Sequence, residues 1–355
     1  MNKRNANIVG TRLAIATAMT LALAGCGGGG GDGGTPLPTV TLVLDAGNSD
    51  TVAHASSAAI LASSPAQSLP VSGLAADRST ALAQTSVQRA GWLGRVIAIA
   101  RQPQHVKTWA ARTSRAQPLA VVGPFEEPCA VSGSISVTFD DRDNDEAPSA
   151  GDVLTMALNA CMDDASETLD GVAMVTYTEI TANSLSALMR LTDLSDRTER
   201  HSSRMSGSMQ LFYQMVDSNV EVTRLTAAGP VQVSVSTHLP FDDTVTLYEG
   251  FVQELTYDAS AFEPGSATPG RSTLTVNGIL DSAAAGGTVE VASRADAPIR
   301  TASGSAYPYA GELVVQGQSG TLVLTAVSEG VRIELDANDD GTPETSDIQD
   351  WDWLF

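Results

Sequence analysis

The sequence predicts a mainly β protein of the α+β class, with N-terminal helices packed on a large antiparallel β domain. That domain is expected to contain about a dozen strands, which would curl or split into two layers. Three observations predict this fold: apolar and polar residues alternate from Cys129 onward, Gly, Asn, Asp and Ser interrupt the alternation at short intervals, and helical spacing of apolar residues is confined to the stretch before Cys129.

The N-terminus has three parts. Basic residues are followed by the eleven-residue apolar segment LAIATAMTLAL, from Leu13 to Leu23. This length matches the apolar region of a secretory signal peptide and is too short to cross a bilayer. The segment LAGC, which ends at Cys26, comes next. The pattern therefore predicts a signal peptide over residues 1–25.

The same pattern resembles bacterial lipoprotein precursors, in which a Leu and two small residues precede an invariant Cys. The resemblance implies that Cys26 carries a diacylglycerol thioether and an N-linked fatty acid such as palmitate, and several acyl chains suffice for stable anchoring. Gly27 after the Cys implies, by the same resemblance, sorting to the outer membrane of the bacterial cell envelope. The alternative is an ordinary secreted protein with an incidental Cys.

Charge divides the remaining chain. A Gly-rich tether over 26–37 precedes a basic section, 38–125, which is expected to hold one strand and the helices, and an acidic β domain, 126–355. The domain contains ten Arg and 37 acidic residues, a balance of −27, in a chain of net charge −21. An envelope protein with such an acidic body is not expected to bind nucleic acid. The basic section either packs on the acidic domain or contacts anionic lipid.

In the basic section, the alternating segment PTVTLVLDAG predicts a short strand over 38–47. A helix should follow in NSDTVAHASSAAILAS, with Asn48 or Ser49 as its N-cap and Asp50 in its first turn. A second helix is predicted between Thr80 and Gln102, and Pro103 ends it. Its apolar stripe consists of Leu82, Val87, Trp92, Leu93, Val96, Ile97 and Ile99.

In the acidic domain, apolar residues at every second position predict strands with one apolar face each. The rows that carry this prediction begin at Ile135, Leu154, Ala173, Leu185, Met209, Val231, Leu274, Val289, Leu313, Leu322 and Val331. The first two rows flank the acidic segment DDRDNDEAPSAGD. Cys129 and Cys161 are equally far from Asp145, which is near the middle of that segment, so a hairpin would place them roughly opposite each other at its open end. Export favours a disulfide between them.

Two twelve-residue acidic segments, which begin at Asp141 and Asp336, align without a gap. Carboxylates at alternate positions of a curled loop can converge on Ca²⁺, which binds six to eight oxygens. The candidate ligands are Asp141, Asp143, Asp145 and Asp152 in the first loop, and Asp336, Asn338, Asp340, Thr342, Glu344 and Asp347 in the second. The second loop resembles the calcium loops of EF-hand and dockerin-type modules. The alternative for both loops is a solvated turn, because turns favour the same residues. Bound calcium would be structural.

No HExxH or G-x-S-x-G motif accompanies the four His residues, so no enzyme class is indicated. Residues 129–355 resemble uncharacterised β-rich lipoproteins of proteobacteria in segments such as SGSISVTF, AGDVLTMALNAC and GVRIELDANDDG. We expect an envelope binding or structural module whose ligand is an envelope polymer, a protein or a lipid. The alternative is a periplasmic carrier with a half-open sheet that shelters an acyl chain or another apolar ligand. An internal cavity lined by Met156, Met174, Met189, Met209 and Met215 would favour the carrier, and a filled core the binding module.

Overall fold

The computed structural model describes residues 37–64, 92–101, 121–145, 148–162, 167–199, 201–237, 241–262, 269–303, 305 and 307–354. The signal peptide, Cys26 and the Gly-rich tether lie outside the described residues. Leu37–Phe355 form one compact unit. Its elements are mostly β-strands of one large antiparallel sheet, with a few helices, which confirms the predicted class.

The described helices are α1 (Ser49–Ala62), α2 (Trp92–Ala100) and the short α3 (Trp351–Leu354). Seventeen strands are described, more than the predicted dozen. They are β1 (Val121–Pro128), β2 (Ser132–Asp140), β3 (Val153–Met162), β4 (Thr168–Ile180), β5 (Ser184–Arg197), β6 (His201–Met215), β7 (Val220–Ala227), β8 (Val231–Thr237), β9 (Asp242–Leu247), β10 (Val252–Asp258), β11 (Arg271–Ser282), β12 (Gly287–Ser293), β13 (Ile299–Ala302), β14 (Glu312–Gln316), β15 (Thr321–Val327), β16 (Gly330–Asp336) and β17 (Thr345–Gln349).

The sheet is an antiparallel meander in which most strands pair with the next one along the chain. The second half of β6 pairs with β7 and its first half with β8, so these two short strands share one position beside β6. In the same way β10 and β9 both pair with β11, and β11 pairs on its other side with β12 and β13. Division of single long strands into two short ones accounts for much of the difference between the predicted and observed strand number.

The predicted alternation places the apolar residues of the strands on one face. Val137, Leu154, Val175, Met189 and Val233 are all buried, as predicted for that face. These residues belong to one continuous apolar core that also includes residues of α1 and α2. A period of two buries one face of a strand only when the other face remains in water. The sheet therefore has one apolar and one polar face.

Helix α1 lies in the interior of the curved sheet. Eleven of its fourteen residues are buried, so it has almost no solvent-facing side. It contacts β8, β9 and β11, which are neighbours in the sheet, and also β15, three strands beyond β11, so the sheet must curve around it. A helix surrounded on all sides needs no polar stripe. This explains why Ala and Ser are distributed around the whole helix rather than along one face.

Polar contacts fix both ends of α1. Asn48 is the N-cap, but its side chain makes no capping hydrogen bond; its Oδ1 instead accepts the Asp45 N–H at 3.0 Å. At the other end Gln253 of β10 is buried and donates from Nε2 to the Ile60 carbonyl at 3.2 Å and to the Ser63 hydroxyl at 2.5 Å. A carbonyl in the last turn of a helix has no partner within the helix, so Gln253 supplies one.

The other N-terminal elements also contact the sheet. Helix α2 contacts β4 and β5, and the Tyr177 hydroxyl of β4 donates to the Ala100 carbonyl at 3.1 Å. The part of the predicted second helix before Trp92 lies outside the described residues. The segment predicted as a strand over 38–47 forms an isolated parallel bridge between Val43 and Ser319. It is therefore joined to the sheet by this bridge and by hydrogen bonds from the Thr41 and Leu42 N–H groups to the Thr288 carbonyl, rather than along a continuous ladder.

The C-terminal helix α3 closes over α1. The ring of His54 in α1 lies between two aromatic rings, with centroids 4.9 Å from Phe241 and 3.8 Å from Trp353. Trp351 stacks on Tyr307 at 5.6 Å. Paired aromatic rings of this kind add stabilisation beyond the apolar area that they bury. The last residues of the described chain are therefore joined to one of its first elements.

A line of backbone irregularities, here called the crease, crosses five neighbouring strands. It consists of Gly133 in β2, Ala160 in β3, Gly171 in β4, Asp193 in β5 and Gly207 in β6, all with positive φ. The ladders of β2 to β6 shift register beside these residues. Bulges bend a strand and increase its twist. Because the bulges of adjacent strands are aligned, the sheet can bend along the crease toward the helices.

Candidate functional site

The first acidic loop joins β2 to β3 and brings three predicted ligands together. Carboxylate oxygens of Asp141, Asp143 and Asp145 lie within 4.8 Å of one another. Asp141 is buried, whereas the other two side chains are exposed. The Ser149 hydroxyl donates to Asp143 Oδ2 at 2.8 Å, and this bond is the main cause that lowers the pKa of Asp143. Convergent carboxylates of this kind are the hard oxygen donors that Ca²⁺ prefers.

Asp152, the twelfth residue of this loop, has a different role. It is fully buried and is not one of the three converging residues. Its Oδ1 accepts the Arg142 N–H at 2.9 Å, and its Oδ2 accepts the Ser149 N–H at 2.7 Å. A single carboxylate thus holds the beginning and the end of the loop together. The spacing alone did not distinguish this clamp from a metal ligand.

The second acidic loop joins β16 to β17, and its side chains mostly bind its own backbone. Asp336 accepts the N–H groups of Asp340 at 3.1 Å and Gly341 at 2.7 Å, and Asn338 also accepts from Asp340 at 2.9 Å. The N–H of Thr342 donates to Asp340 Oδ1 at 2.8 Å. These are the local side-chain bonds that stabilise turns.

The remaining candidates of this loop do not converge with the others. Glu344 accepts the Ala337 N–H at 2.7 Å, while Asp347 lies within β17 opposite Ile333. In the described part of the chain, a group of three acidic, His or Cys side chains at metal-binding distance is found in the first loop and not in this one. The carboxylates of the second loop therefore mainly accept hydrogen bonds from the backbone of their own turn.

Asp339 connects this second loop to its neighbour and was not singled out by the sequence pattern. Its carboxylate accepts the Gly320 N–H at 2.9 Å and the Thr321 hydroxyl at 2.8 Å, both at the start of β15. The Gly320 N–H is the main cause that lowers the pKa of Asp339. Because strand directions alternate along the meander, this loop and the first acidic loop lie at opposite ends of the sheet.

The predicted disulfide joins Cys129, in the turn before β2, to Cys161 near the end of β3, with Cα atoms 5.5 Å apart. Asp140 pairs with Val153 and Ser132 with Met162, so the hairpin of β2 and β3 has the register expected from the equal distance of the two cysteines to the acidic loop. The disulfide lies at the end of the hairpin opposite the first acidic loop. The hairpin is therefore closed at one end by Asp152 and at the other by a covalent bond.

The buried Asp196 and Ser203 and the half-buried His201 form a cluster that has the residue types of a catalytic triad but a different order of contacts. The Ser203 hydroxyl and N–H both donate to Asp196 Oδ1, at 2.5 Å and 2.9 Å, and His201 Nε2 lies 3.6 Å from Asp196 Oδ2. The carboxylate thus stands between Ser and His. A nucleophilic Ser requires the imidazole as its direct partner. Burial disfavours the charged form of Asp196, but the bonds from His201 and Ser203 outweigh it and lower its pKa. The cluster fastens the β5–β6 hairpin.

The methionines named for a carrier cavity do not share one surface. Met156, Met189 and Met209 are buried in the core, but Met174 is 38% exposed on the polar face of β4 and Met215 is 42% exposed at the end of β6. The interior space that a ligand would need is instead occupied, at its centre, by α1. No helix of the described residues is long and apolar enough to cross a membrane.

Comparison of the chain with protein-family models, with curated proteins and with solved structures found no match.

Proposed function

We propose that this protein is a lipid-anchored binding or structural module of the bacterial cell envelope. The observation that supports the anchor is the N-terminal pattern that ends in LAGC at Cys26. Lipidation at this residue would place the β unit close to the membrane, because the twelve residues from Cys26 to Leu37 span at most about 40 Å even when fully extended. By the resemblance to lipoprotein precursors, that membrane is the outer membrane.

A rigid module agrees better with the described interior than a carrier does. An acyl chain would have to displace α1, whose burial and end contacts with Gln253 involve many groups at once. The two methionines outside the core further weaken the carrier hypothesis. The export route also agrees with the disulfide, which persists in oxidising compartments.

Metabolic labelling with a palmitate analogue tests the anchor. The wild-type protein should incorporate the label and fractionate with membranes, and Cys26→Ser should lose both properties. Cys129→Ser serves as the matched control, because it removes a Cys that is not the acylation site, and it should keep the label. Label retained by Cys26→Ser, or absent from the wild type, refutes the proposal.

We also propose a structural Ca²⁺ at the first acidic loop, supported by the convergence of Asp141, Asp143 and Asp145. A cation there would relieve the repulsion of three carboxylates within 4.8 Å of one another. For a site with a Kd of about 0.1 mM, 2 mM Ca²⁺ would stabilise the fold by about 1.8 kcal/mol, which raises Tm by about 3 °C.

Thermal unfolding in EGTA and in 2 mM Ca²⁺ (a concentration chosen to be about twentyfold above that Kd) measures this difference. Asp143→Asn with Asp145→Asn should abolish the calcium-dependent rise in Tm. Asp340→Asn, in the second acidic loop, is the matched control and should keep it. Identical melting curves of the wild type in the two solutions would rule the site out.

A further inference from the structure

A groove of about 640 Å³ lies on the sheet at the end that carries the disulfide. Strands β5, β6, β8 and β9 and the turn after β11 line it. On these four strands the buried residues, such as Asp196, Ser203, Val235 and Asp243, alternate with exposed or half-buried ones. The intervening side chains therefore lie on the outer, polar face of the sheet.

The register arranges eight of these outer side chains in two rows, here called the hydroxyl rows. Each row crosses four adjacent strands, and neighbours in a row are paired residues. The first row is Ser195, Arg204, Ser234 and Thr244, and the second is Arg197, Ser202, Ser236 and Asp242. Five of the eight side chains are Ser or Thr, which extend less far from the sheet than Arg does. The short side chains therefore form the floor of the groove, and the two arginines and the turn at 283–284 line its sides.

The two arginines are diagonal neighbours across β5 and β6. Arg197 pairs with Ser202, and Arg204 lies two residues further along the same strand. Diagonal neighbours in an antiparallel sheet are about 7 Å apart, which allows two long side chains to hold one anionic group between them. A guanidinium donates two parallel hydrogen bonds to a carboxylate or phosphate.

Existing ion pairs leave these cations available. The Arg204 guanidinium lies 3.9 Å from Asp193, and both side chains are more than 60% exposed. Such an exposed pair contributes little to stability and is easily exchanged for another anion. For Arg197, the described residues show no ion pair. The groove lining contains Arg197 and Arg204 as its only cationic groups, together with the exposed Asp242 and the buried Asp196 and Asp243. The two arginines are therefore the groups in this groove that an anion can bind.

We propose that the hydroxyl rows bind a sugar that carries one anionic group. The carboxylate, phosphate or sulfate would lie between Arg197 and Arg204, and the sugar hydroxyls would bond to Ser202, Ser234 and Ser236. Serine and threonine hydroxyls donate and accept at once, as sugar hydroxyls do, so a polyhydroxylated ring can satisfy many of them. This inference rests on the proposed role as an envelope binding module and names the class of ligand.

Titration calorimetry of the full chain in detergent tests the proposal, with glucose 6-phosphate, glucose and inorganic phosphate as probes. The sugar phosphate should bind at least about tenfold more tightly than glucose or phosphate alone, because only it addresses both the arginines and the hydroxyls. Binding should weaken as salt increases. Equal affinity for glucose 6-phosphate and inorganic phosphate, or no binding of either, overturns the proposal.

Arg197→Gln and Arg204→Gln should each weaken sugar-phosphate binding about tenfold, and the double variant about a hundredfold. Arg190→Gln is the matched control, since Arg190 is an exposed arginine of the same strand and polar face. It should leave binding unchanged. Far-ultraviolet circular dichroism establishes that each variant is folded.

Vesicles of phosphatidylglycerol and phosphatidylcholine distinguish a sugar from a membrane headgroup. The proposal predicts that vesicles do not compete with glucose 6-phosphate for the full chain. If vesicles bind through the two arginines while the sugar phosphate does not, the ligand is a lipid surface and the sugar proposal fails. Neither result affects the acylation of Cys26, so the anchor and the ligand are tested separately.

Discussion

Gly171 in the crease offers a direct test of how the sheet bends. Its φ is +117°, a conformation that L-residues rarely adopt, and a Cβ atom there would lie 2.5 Å from both the Asp193 carbonyl oxygen and the Leu194 Cα. Gly171→Ala therefore combines two costs. The backbone conformation costs about 1–3 kcal/mol. The overlap is with backbone atoms, so β4 and β5 must move apart, at a further cost of about 1–3 kcal/mol.

Two other glycines separate these costs. Gly250 has φ +84° but open space around its Cβ position, so Gly250→Ala carries the conformational cost alone, about 1–3 kcal/mol. Gly229 has open space and is not among the positive-φ glycines, so Gly229→Ala should change stability by less than about 0.5 kcal/mol.

Urea unfolding under non-reducing conditions, followed by tryptophan fluorescence, gives the three free energies of unfolding. We expect Gly171→Ala to lose about 2–6 kcal/mol and to be the least stable of the series. If Gly171→Ala is as stable as Gly250→Ala, the overlap of the added methyl group with β5 costs no measurable free energy. The crease then does not depend on the close approach of β4 and β5.

Three further predictions concern single contacts. Replacement of Cys129 and Cys161 by Ala should lower the free energy of unfolding by about 3.7 kcal/mol, because the disulfide no longer restricts a loop of the unfolded chain whose ends are 32 residues apart. A loss below about 1 kcal/mol would contradict that account. Burial lowers the pKa of His54, and the charge of Asp50 opposes this shift only in part, so the unfolded chain binds a proton more readily than the folded chain and the free energy of unfolding should decrease as pH falls below 6.5. In His54→Phe the free energy of unfolding should depend less on pH between about pH 7.5 and 5. If the wild type and the variant show the same pH dependence, His54 is not its source. Asp243 is buried and accepts hydrogen bonds from the Ser282 hydroxyl at 2.6 Å and the Ala284 N–H at 2.8 Å. Asp243→Asn should therefore lower the free energy of chemical unfolding by about 2 kcal/mol, whereas Asp242→Asn, at the exposed neighbouring position, should leave it almost unchanged. Equal effects of the two substitutions would argue against this network.

The strands and the disulfide could be predicted because each follows from a local rule. One-sided burial imposes a period of two, and rows such as Leu185 to Leu191 show it without interruption. The cysteine pairing followed from the symmetry of a hairpin about its turn. Helix α1 was also predictable in extent, since the expected helix over NSDTVAHASSAAILAS matches Ser49–Ala62 closely.

What could not be predicted depends on contacts between distant segments. Nothing in the Ala- and Ser-rich sequence of α1 indicates that strands as far apart as β8 and β15 surround it. The break between β7 and β8 at Ala228 to Pro230 depends on its fit against Gly207, which only the register reveals. The hydroxyl rows were missed for the same reason. The run SDRTERHSSRMSGS contains several of their residues, but Ser234, Ser236 and Thr244 come from other strands.

The two acidic loops show the limit of a spacing argument. Their sequences align position by position, yet the carboxylates of the first converge while those of the second cap its own turn. The difference arises from the flanking strands: Asp152 is buried at the end of the first loop, whereas Asp347 pairs within β17 in the second. Spacing identifies which side chains could meet, and the anchoring of the loop ends decides whether they do.

The central position of α1 has a consequence for how the chain acquires its shape. During synthesis, residues 49–62 emerge long before the strands that enclose them, and the contact between His54 and Trp353 must wait for almost the whole chain. Contacts between such remote residues slow the search for the native state. The segment synthesised last therefore completes the enclosure of one of the first, so a chain truncated before Trp353 would leave the helix uncovered at that side and open to capture by chaperones or proteases.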